Sequence, residues 1–408
     1  MKTAWIVHQY ASTPETGMGG RHYYLGRELA KKGYRVYLIA SASHHLLREK
    51  PALKEPFEIE AIAEGFNLVW VNMPSYAEAH SRQRALNWFL FPWRIQRLVN
   101  FIRDKPDVIL SSSPSPVAFL GAQRLAKKFK ARLVFEVRDI WPLTLTELGG
   151  YSSKHPFIRF MQWVEDKAYR DSDAVVSNLK NSVEHMVERG MQREKFAWIA
   201  NGFSLDEVNS GMPLDASTKR MLPKGKFLVG YTGTFGLAND LYTLIDAAEL
   251  LKGNDDVVFV LVGGGRDKHS LLSYIEKKKL KNVITLDYVP KTQVQQLLME
   301  LDVLTVGAKK QPIYKFGVSP NKLFDYLYAA KPIIYHIESG DYSPVKSASA
   351  GYEVESGNPQ ALASAILKVY RMSTIERELM GANGRRAALE QYEYNQLSEK
   401  FAEVLFDL

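Results

Sequence analysis

At 408 residues the chain is long enough for two or three domains at about 150 residues each, and 46% hydrophobic residues is the content of a soluble globular protein. The absence of cysteine excludes disulfides, thiol catalysis and cysteine metal sites. A surplus of 53 basic over 45 acidic residues, net charge +8, permits attraction to anionic lipid, nucleic acid or phosphorylated small molecules, so the position of the charge has to choose among them.

Short apolar runs rich in β-branched residues alternate with amphipathic stretches almost from end to end. In the first half the runs are TAWIVHQY, YRVYLIA, FNLVWVNMP, DVILSSS, ARLVFEVRD, DAVVSN and KFAWIAN, with helical patterns such as RHYYLGRELAKKG and VAFLGAQRLAKKF between them. This order predicts an α/β domain with a parallel sheet over residues 1–202. A polar stretch, NGFSLDEVNSGMPLDASTKRMLPKG, follows Ala200, and the alternation restarts with KFLVGYTG, DVVFVLVGG, NVITLDYV, DVLTVGA, KPIIYH and GYEVE. A second domain of the same class is expected over residues 203–384. Beyond Pro359 the pattern is helical, and a C-terminal helix over about 385–408 is expected to cross back onto the first domain. The predicted architecture is therefore α/β, two Rossmann-like domains with a cleft between them. The start KTAWIVHQY lacks a signal-peptide pattern and no apolar run approaches about 18 residues, so a cytoplasmic protein is expected.

In such sheets ligands gather beyond the C-terminal ends of the strands. In the first domain those positions hold TGMGGRH, SSSPSP and VRDIWP. Gly19 and Gly20 come too late after the first strand for a dinucleotide fingerprint, and YRVYLIASAS ends without an acid to hold a ribose. They either let amides at a helix N-terminus approach a ligand's phosphates or an acceptor, or form a plain loop needing φ > 0. Asp139, beside Arg138, can orient an acceptor hydroxyl, and Trp141 is either an apolar sugar platform or a buried ring after a strand. Asp171 and Asp173 precede a strand instead of ending one, and His44 and His45 lack companions, so no metal is expected. No nucleophile elbow is found.

From Ala79 to Arg103 there are five arginines, five aromatics (Trp88, Phe89, Phe91, Trp93, Phe101) and no acid. Ile95, Leu98, Val99 and Ile102 mark one helical face, with Arg94 and Arg97 off it. Either this is an interfacial helix that meets an anionic leaflet through Trp88, Phe89, Phe91, Trp93, Arg94 and Arg97, or it is a core helix with its arginines in solvent. No nucleic-acid-binding module accompanies the basic residues, so nucleic acid is not expected.

The second domain offers Gly233 and Thr234 in YTGTFG, and Gly264, Gly265 and Arg266 in LVGGGRDK, where backbone can approach a base or diphosphate. In KFGVSPNKLFDYLYAAKPII, Ser319 reads as an N-cap and Pro320 as the first helical residue. Lys322 would then sit in the first turn, where a cation is unfavourable by roughly 0.3 to 1 kcal/mol unless an anion binds there. Leu323, Tyr326, Leu327 and Ala330 form the predicted buried stripe. Asp325 lies off it, able either to accept two sugar or ribose hydroxyls or to form only a local pair with Lys322.

The motifs GMGGR, NGF near the domain junction, GGGRD and SPNKLFDYLYAAKPII together resemble the family-4 retaining glycosyltransferases of GT-B fold, over essentially the whole chain. RDIWP combined with GVSPNKLFDY is similar to a bacterial subgroup around O-antigen N-acetylfucosamine transferases. The resemblance implies transfer of a sugar from a nucleotide diphosphate donor, UDP-linked and held mostly by the second domain, to a lipid-linked or saccharide acceptor on the first. It implies no metal and no cofactor beyond the nucleotide sugar. Donor contacts would fall on Gly19, Gly20, Gly233, Thr234, Gly264, Gly265, Gly317, Val318, Ser319, Asn321 and Asp325, and acceptor contacts on Ser113 and Trp141. The family's two glutamates eight positions apart fall on Gly317 and Asp325, its arginine and lysine after the second domain's first strand on Thr234 and Asn239, and its cleft histidines on Ser113 and Arg138. Recognition of the transferred sugar would move to amides near Gly317 and Val318, or to another side chain. Neutralisation of the diphosphate would pass to Lys322 and Arg266, with Lys309, Lys310 and Lys315 behind them.

The expected activity is metal-independent retaining transfer in surface polysaccharide biosynthesis, with Lys322, Arg266, Asp139 and Arg138 as catalytic candidates. The expected location is cytoplasmic, peripheral on the inner face of the cell membrane. A nucleotide-sugar epimerase of the same fold, or a non-catalytic nucleotide-sugar-binding protein, are the alternatives.

Overall fold

The computed structural model describes residues 1–76 and 81–407. It divides into two units, Met1–Ala200 with Tyr394–Leu408, and Asn201–Glu393. Each is an α/β domain with a largely or wholly parallel sheet.

In the first unit β1 (Thr3–Val7), β2 (Arg35–Ser41), β3 (Phe57–Ala63), β4 (Phe66–Val71), β5 (Val108–Ser112), β6 (Arg132–Val137), β7 (Ala174–Ser177) and β8 (Phe196–Trp198) lie in the order β3-β4-β2-β1-β5-β6-β7-β8. β1 and β5 are buried along their whole length, the pattern of strands covered on both faces by helices. Among the described strands only β3 runs antiparallel, and the apolar runs in the sequence do not reveal it. It is an edge strand, FEIEAIA, whose glutamates and exposed Ile59 break the apolar pattern that identifies the others. The strand order reverses at β1, which lies between β2 and β5, so a crevice opens beyond the C-terminal ends of β1, β5 and β6.

In the second unit β9 (Phe227–Thr234), β10 (Val257–Gly264), β11 (Val283–Leu286), β12 (Val303–Gly307), β13 (Ile333–His336) and β14 (Gly351–Glu353) are all parallel, in the order β11-β10-β9-β12-β13-β14. The same reversal at β9 gathers the ends of β9, β10 and β12. The return to the first unit begins at Tyr394, after the helix Thr374–Ala387, which belongs to the second. The last helix, Tyr394–Phe406, buries Leu397, Phe401 and Leu405 in the first unit's core and stacks Tyr394 on Tyr24 and Phe406 on Tyr34. Among the described residues no helix is long and apolar enough to cross a membrane.

Candidate active site

The helix after the sequence KFGVSP spans Asn321–Tyr328 and begins differently from the expectation. Pro320 is its N-cap, not its first helical residue, and Ser319 does not cap it. The Ser319 hydroxyl accepts the N–H of Asn201 at 3.1 Å while Asn201 Nδ2 donates to the Ser319 carbonyl at 2.7 Å, so this side chain is committed to the NGF segment. No side chain caps the first-turn amides, and the helix start is left suited to an anion.

Lys322 turns to Tyr231 and Asn239, and the local pair with Asp325 does not form. Its Nζ donates to the Tyr231 hydroxyl at 2.7 Å and to Asn239 Oδ1 at 3.2 Å, and lies 4.1 Å from the Tyr231 ring centroid. Burial lowers the ammonium to about 7, with no carboxylate offsetting that loss. The ammonium thus reaches the side chain at position 239, where the resemblance puts the family's own lysine. Space for it depends on Gly233, which has φ 135°, and whose added Cβ would come within 2.8 Å of Nζ. Gly265, at φ 149°, likewise leaves no room for a Cβ, which would stand 2.6 Å from the Phe235 carbonyl.

Leu323, Tyr326 and Leu327 are buried as the periodicity requires, joined by Phe324. Ala330 is not part of that stripe: the helix ends at Tyr328 and Ala330 takes a left-handed conformation, φ 56°. Asp325 is partly exposed, and burial pushes its carboxyl up to about 6, against the pull of Lys291. The Gly317 amide is not open to a sugar, because it already donates to the Tyr314 carbonyl at 2.9 Å. Lys310 is engaged with Glu338 at 2.9 Å and drops behind the other cations. Arg266 is exposed between β10 and the helix Lys268–Lys277. Beside it Tyr288, a residue the sequence did not single out, is 64% exposed while its hydroxyl donates to the Gly264 carbonyl at 2.6 Å. An aromatic face is thereby fixed beside the glycine tract.

In the first unit Gly19 and Gly20 both have positive φ, and Gly20 is the N-cap of the helix Arg21–Lys31. The next two residues reach into the sheet. Glu136, fully buried on β6, accepts Arg21 Nε at 2.8 Å, His22 Nε2 at 2.5 Å and Ser112 Oγ at 2.6 Å. Burial alone would raise this carboxyl, but His22 and Arg21 outweigh it and hold it well below the usual range. The His22 ring lies 4.3 Å from that of His8, whose Nε2 is 3.2 Å from Arg138 Nη1. Burial, with His22 and Arg138 nearby, keeps His8 neutral by lowering its pKa well below 6.5. The signal for this network was present in the sequence as a glutamate inside the strand LVFEV, since such a residue is buried only when paired.

Ser113 lies 2% exposed and is therefore not an acceptor contact. Its hydroxyl accepts the N–H of Arg138 at 2.8 Å and, more weakly, that of Asp139 at 3.4 Å, which fixes the turn carrying those side chains. Asp139 reaches solvent, and desolvation by the surrounding protein raises its carboxyl against Arg138. Trp141 is half-buried, edge-on to Trp88 at 5.5 Å. Asp171 pairs with Lys167 and Asp173 accepts the Leu133 amide, so both carboxylates serve the fold.

The basic aromatic segment divides in two. Ala79 and His80 lie outside the described residues. Trp88 and Phe91 are corrected from membrane candidates to core: Trp88 is 7% exposed with Nε1 donating to the Tyr10 hydroxyl, and Phe91 is fully buried. Phe89 and Trp93 point outward, with Arg97 over the Trp93 ring and Arg94 half-buried.

The family described as "Glycosyl transferase 4-like domain" matches residues 16–202, and that described as "Glycosyl transferases group 1" matches residues 215–387. A curated relative, WcaI of Escherichia coli (strain K12), whose name assigns it to colanic acid biosynthesis as a glycosyl transferase, is 23% identical over 291 residues, 68% of this chain and 70% of that protein. Sucrose-phosphate synthase of Thermosynechococcus elongatus has a similar structure, with a TM-score of 0.74 at 14% identity over 99% of this chain and 98% of that one. HepE of Anabaena, solved in complex with UDP-glucose, covers all of both chains with a TM-score of 0.67 at 15% identity.

Proposed function

Because the chain belongs to the GT-B glycosyltransferases of family 4, with a glycosyltransferase family match on each half, we propose that it moves a sugar from a UDP-linked donor to a lipid-linked or saccharide acceptor, with retention, in the building of a surface polysaccharide. The transferred sugar is an N-acetylated hexosamine or deoxyhexosamine, the class that RDIWP and GVSPNKLFDY suggest. The protein works on the inner face of the cell membrane, to which Phe89, Trp93, Arg94 and Arg97 attach it.

The observation that carries this reading is Lys322: a half-buried ammonium with only neutral partners, at the start of a helix whose first-turn amides no side chain caps. When the bond from the anomeric carbon to the β-phosphate breaks, charge gathers on the departing phosphate, and Lys322 with the helix amides receives it. Arg266 supplies a second cation. The acceptor oxygen bonds to the anomeric carbon from the same face, and its proton passes to the leaving phosphate oxygen. No protein base is required. Asp139 orients the acceptor hydroxyl, held in place by Arg138 and the Ser113 turn, while Asp325 takes the ribose hydroxyls and the Tyr288 ring faces the base.

Two outcomes follow for UDP binding. With Lys322 near 7 in the free protein and raised by a bound diphosphate, the ammonium is fully charged below pH 7 and must take up a proton above it. The dissociation constant should therefore be flat on that account below pH 7 and rise about tenfold per unit above it. Calorimetry from pH 6 to 9 reads this directly, and Lys322→Arg should flatten the rise. Asp325→Ala should weaken UDP by about 10- to 100-fold, the worth of charged hydrogen bonds, yet leave inorganic pyrophosphate binding unchanged. Equal losses for both ligands would remove Asp325 from the ribose. The activity itself is tested by offering purified protein a panel of nucleotide sugars with lipid-linked and free saccharide acceptors and identifying the linked product. Binding of nucleotide sugars with neither transfer nor hydrolysis would contradict catalysis.

A further inference from the structure

Two helices of the first unit, Arg82–Arg94 and Pro156–Asp171, join their aromatic side chains into one strip. Trp141, two residues beyond Asp139, meets Trp88 edge-on at 5.5 Å, and Trp88 stacks on Phe157 at 5.9 Å. One turn along, Phe160 stacks on Phe89 at 5.5 Å and lies 6.0 Å from Trp163. Exposure rises outward: Trp141, Phe157 and Phe160 are half-buried, while Phe89 is 45% and Trp163 53% exposed. Leu86 and Trp93, three before and four after Phe89, extend the exposed end along the same helix face. A contiguous apolar surface of this kind marks a binding site.

The rim is cationic. Arg82, Arg97 and Arg159 are exposed, Arg94 is half-buried, and residues 81–103 contain no acid. An apolar floor between arginines, leading from solvent to the turn that carries Arg138 and Asp139, matches a long hydrocarbon with an anionic head. We propose that this strip seats the hydrocarbon chain of a lipid-diphosphate acceptor, so that the acceptor is a membrane lipid and not a free saccharide. This rests on the glycosyl-transfer reading and specifies its acceptor class. A bilayer surface would use only the exposed end. The inner rings, Phe157 and Trp141, matter only to a chain whose head group lies at Asp139.

The test compares Leu86→Ser/Trp163→Ser with wild type on two acceptors carrying the same saccharide diphosphate, one on a long polyisoprenyl chain and one on a short water-soluble alkyl chain. Both are assayed in detergent micelles, which removes any contribution from docking to a bilayer. Both substituted side chains are exposed, so folding should persist, and circular dichroism checks it. The inference predicts a fall of about tenfold or more in kcat/KM for the long chain, with the short chain within about twofold of wild type. Equal falls for both acceptors, no fall for either, or lost vesicle binding with unchanged micellar transfer would each overturn it. Wild-type transfer to the short-chain acceptor tests the underlying reading separately; transfer to neither acceptor overturns both.

Discussion

Lys322→Met is expected to cut transfer by about 100- to 1,000-fold, the cost of removing one group that meets developing charge on a leaving oxygen, and yet to raise the melting temperature at pH 6. The two effects share a cause. Folding brings the amine from water to a position bonded only to Tyr231 and Asn239, and its pKa drops from 10.5 to about 7. The unfolded chain therefore binds more protons between these values, so the folded state is penalised in full below pH 7 and relieved as pH climbs toward 10.5. At about 1.36 kcal/mol per unit the penalty is on the order of 5 kcal/mol, larger than the roughly 1 kcal/mol lost with each neutral hydrogen bond. Thermal unfolding at pH 6 and pH 9 should show the gain in the variant shrinking at the higher pH. A variant that is both inactive and less stable at pH 6 would mean that Lys322 is a structural residue.

Glu136→Ala should lower stability by about 3–5 kcal/mol, because it leaves the Arg21 guanidinium, 3% exposed, without its carboxylate. The carboxylate ties three elements together: β6, which carries it, β5 through Ser112, and the first turn of the helix Arg21–Lys31 through Arg21 and His22. Arg21 adds a bond to the Ala200 carbonyl at the end of the first unit. Because the folded pKa is depressed, this contribution is complete at pH 7 and is lost only as acid carries the solution down through that lowered value. Urea unfolding at pH 7 with an unchanged m-value measures it. A loss under about 1 kcal/mol would mean that water replaces the carboxylate at no cost. Glu136→Gln should fall between, since it keeps one acceptor oxygen, enough for Arg21 or for Ser112 but not for both, and loses the charge.

The central strands were legible because burial on both faces writes itself as a run of β-branched residues, and the others but β3 fell within shorter apolar runs. β3 escaped because an edge strand needs only one apolar face, and its glutamates hid that face. Lys322 was legible as a cation in an unfavourable place; its partners were not, because Tyr231 and Asn239 lie 91 and 83 residues away along the chain. The Ser319 error has a similar origin. Ser-Pro before a helix is a local signal, and a tertiary contact to Asn201 overrode it. Trp88 and Phe91 stayed open between membrane and core because composition cannot tell which side of an aromatic helix is covered, and the hydroxyl of Tyr10 with the helix Pro156–Asp171 decided it. Glu136 was overlooked although it was the one charged residue within its strand's apolar stretch. That is the opposite failure, a local signal left unread.

The most direct test is a crystal structure of the UDP complex and the distance in it from Lys322 Nζ to the nearest β-phosphate oxygen. A value of about 2.7 to 2.9 Å, with the phosphate against the first-turn amides of Asn321–Tyr328, is predicted. A diphosphate bound elsewhere, with Nζ still resting on Tyr231 and Asn239, would contradict the assignment.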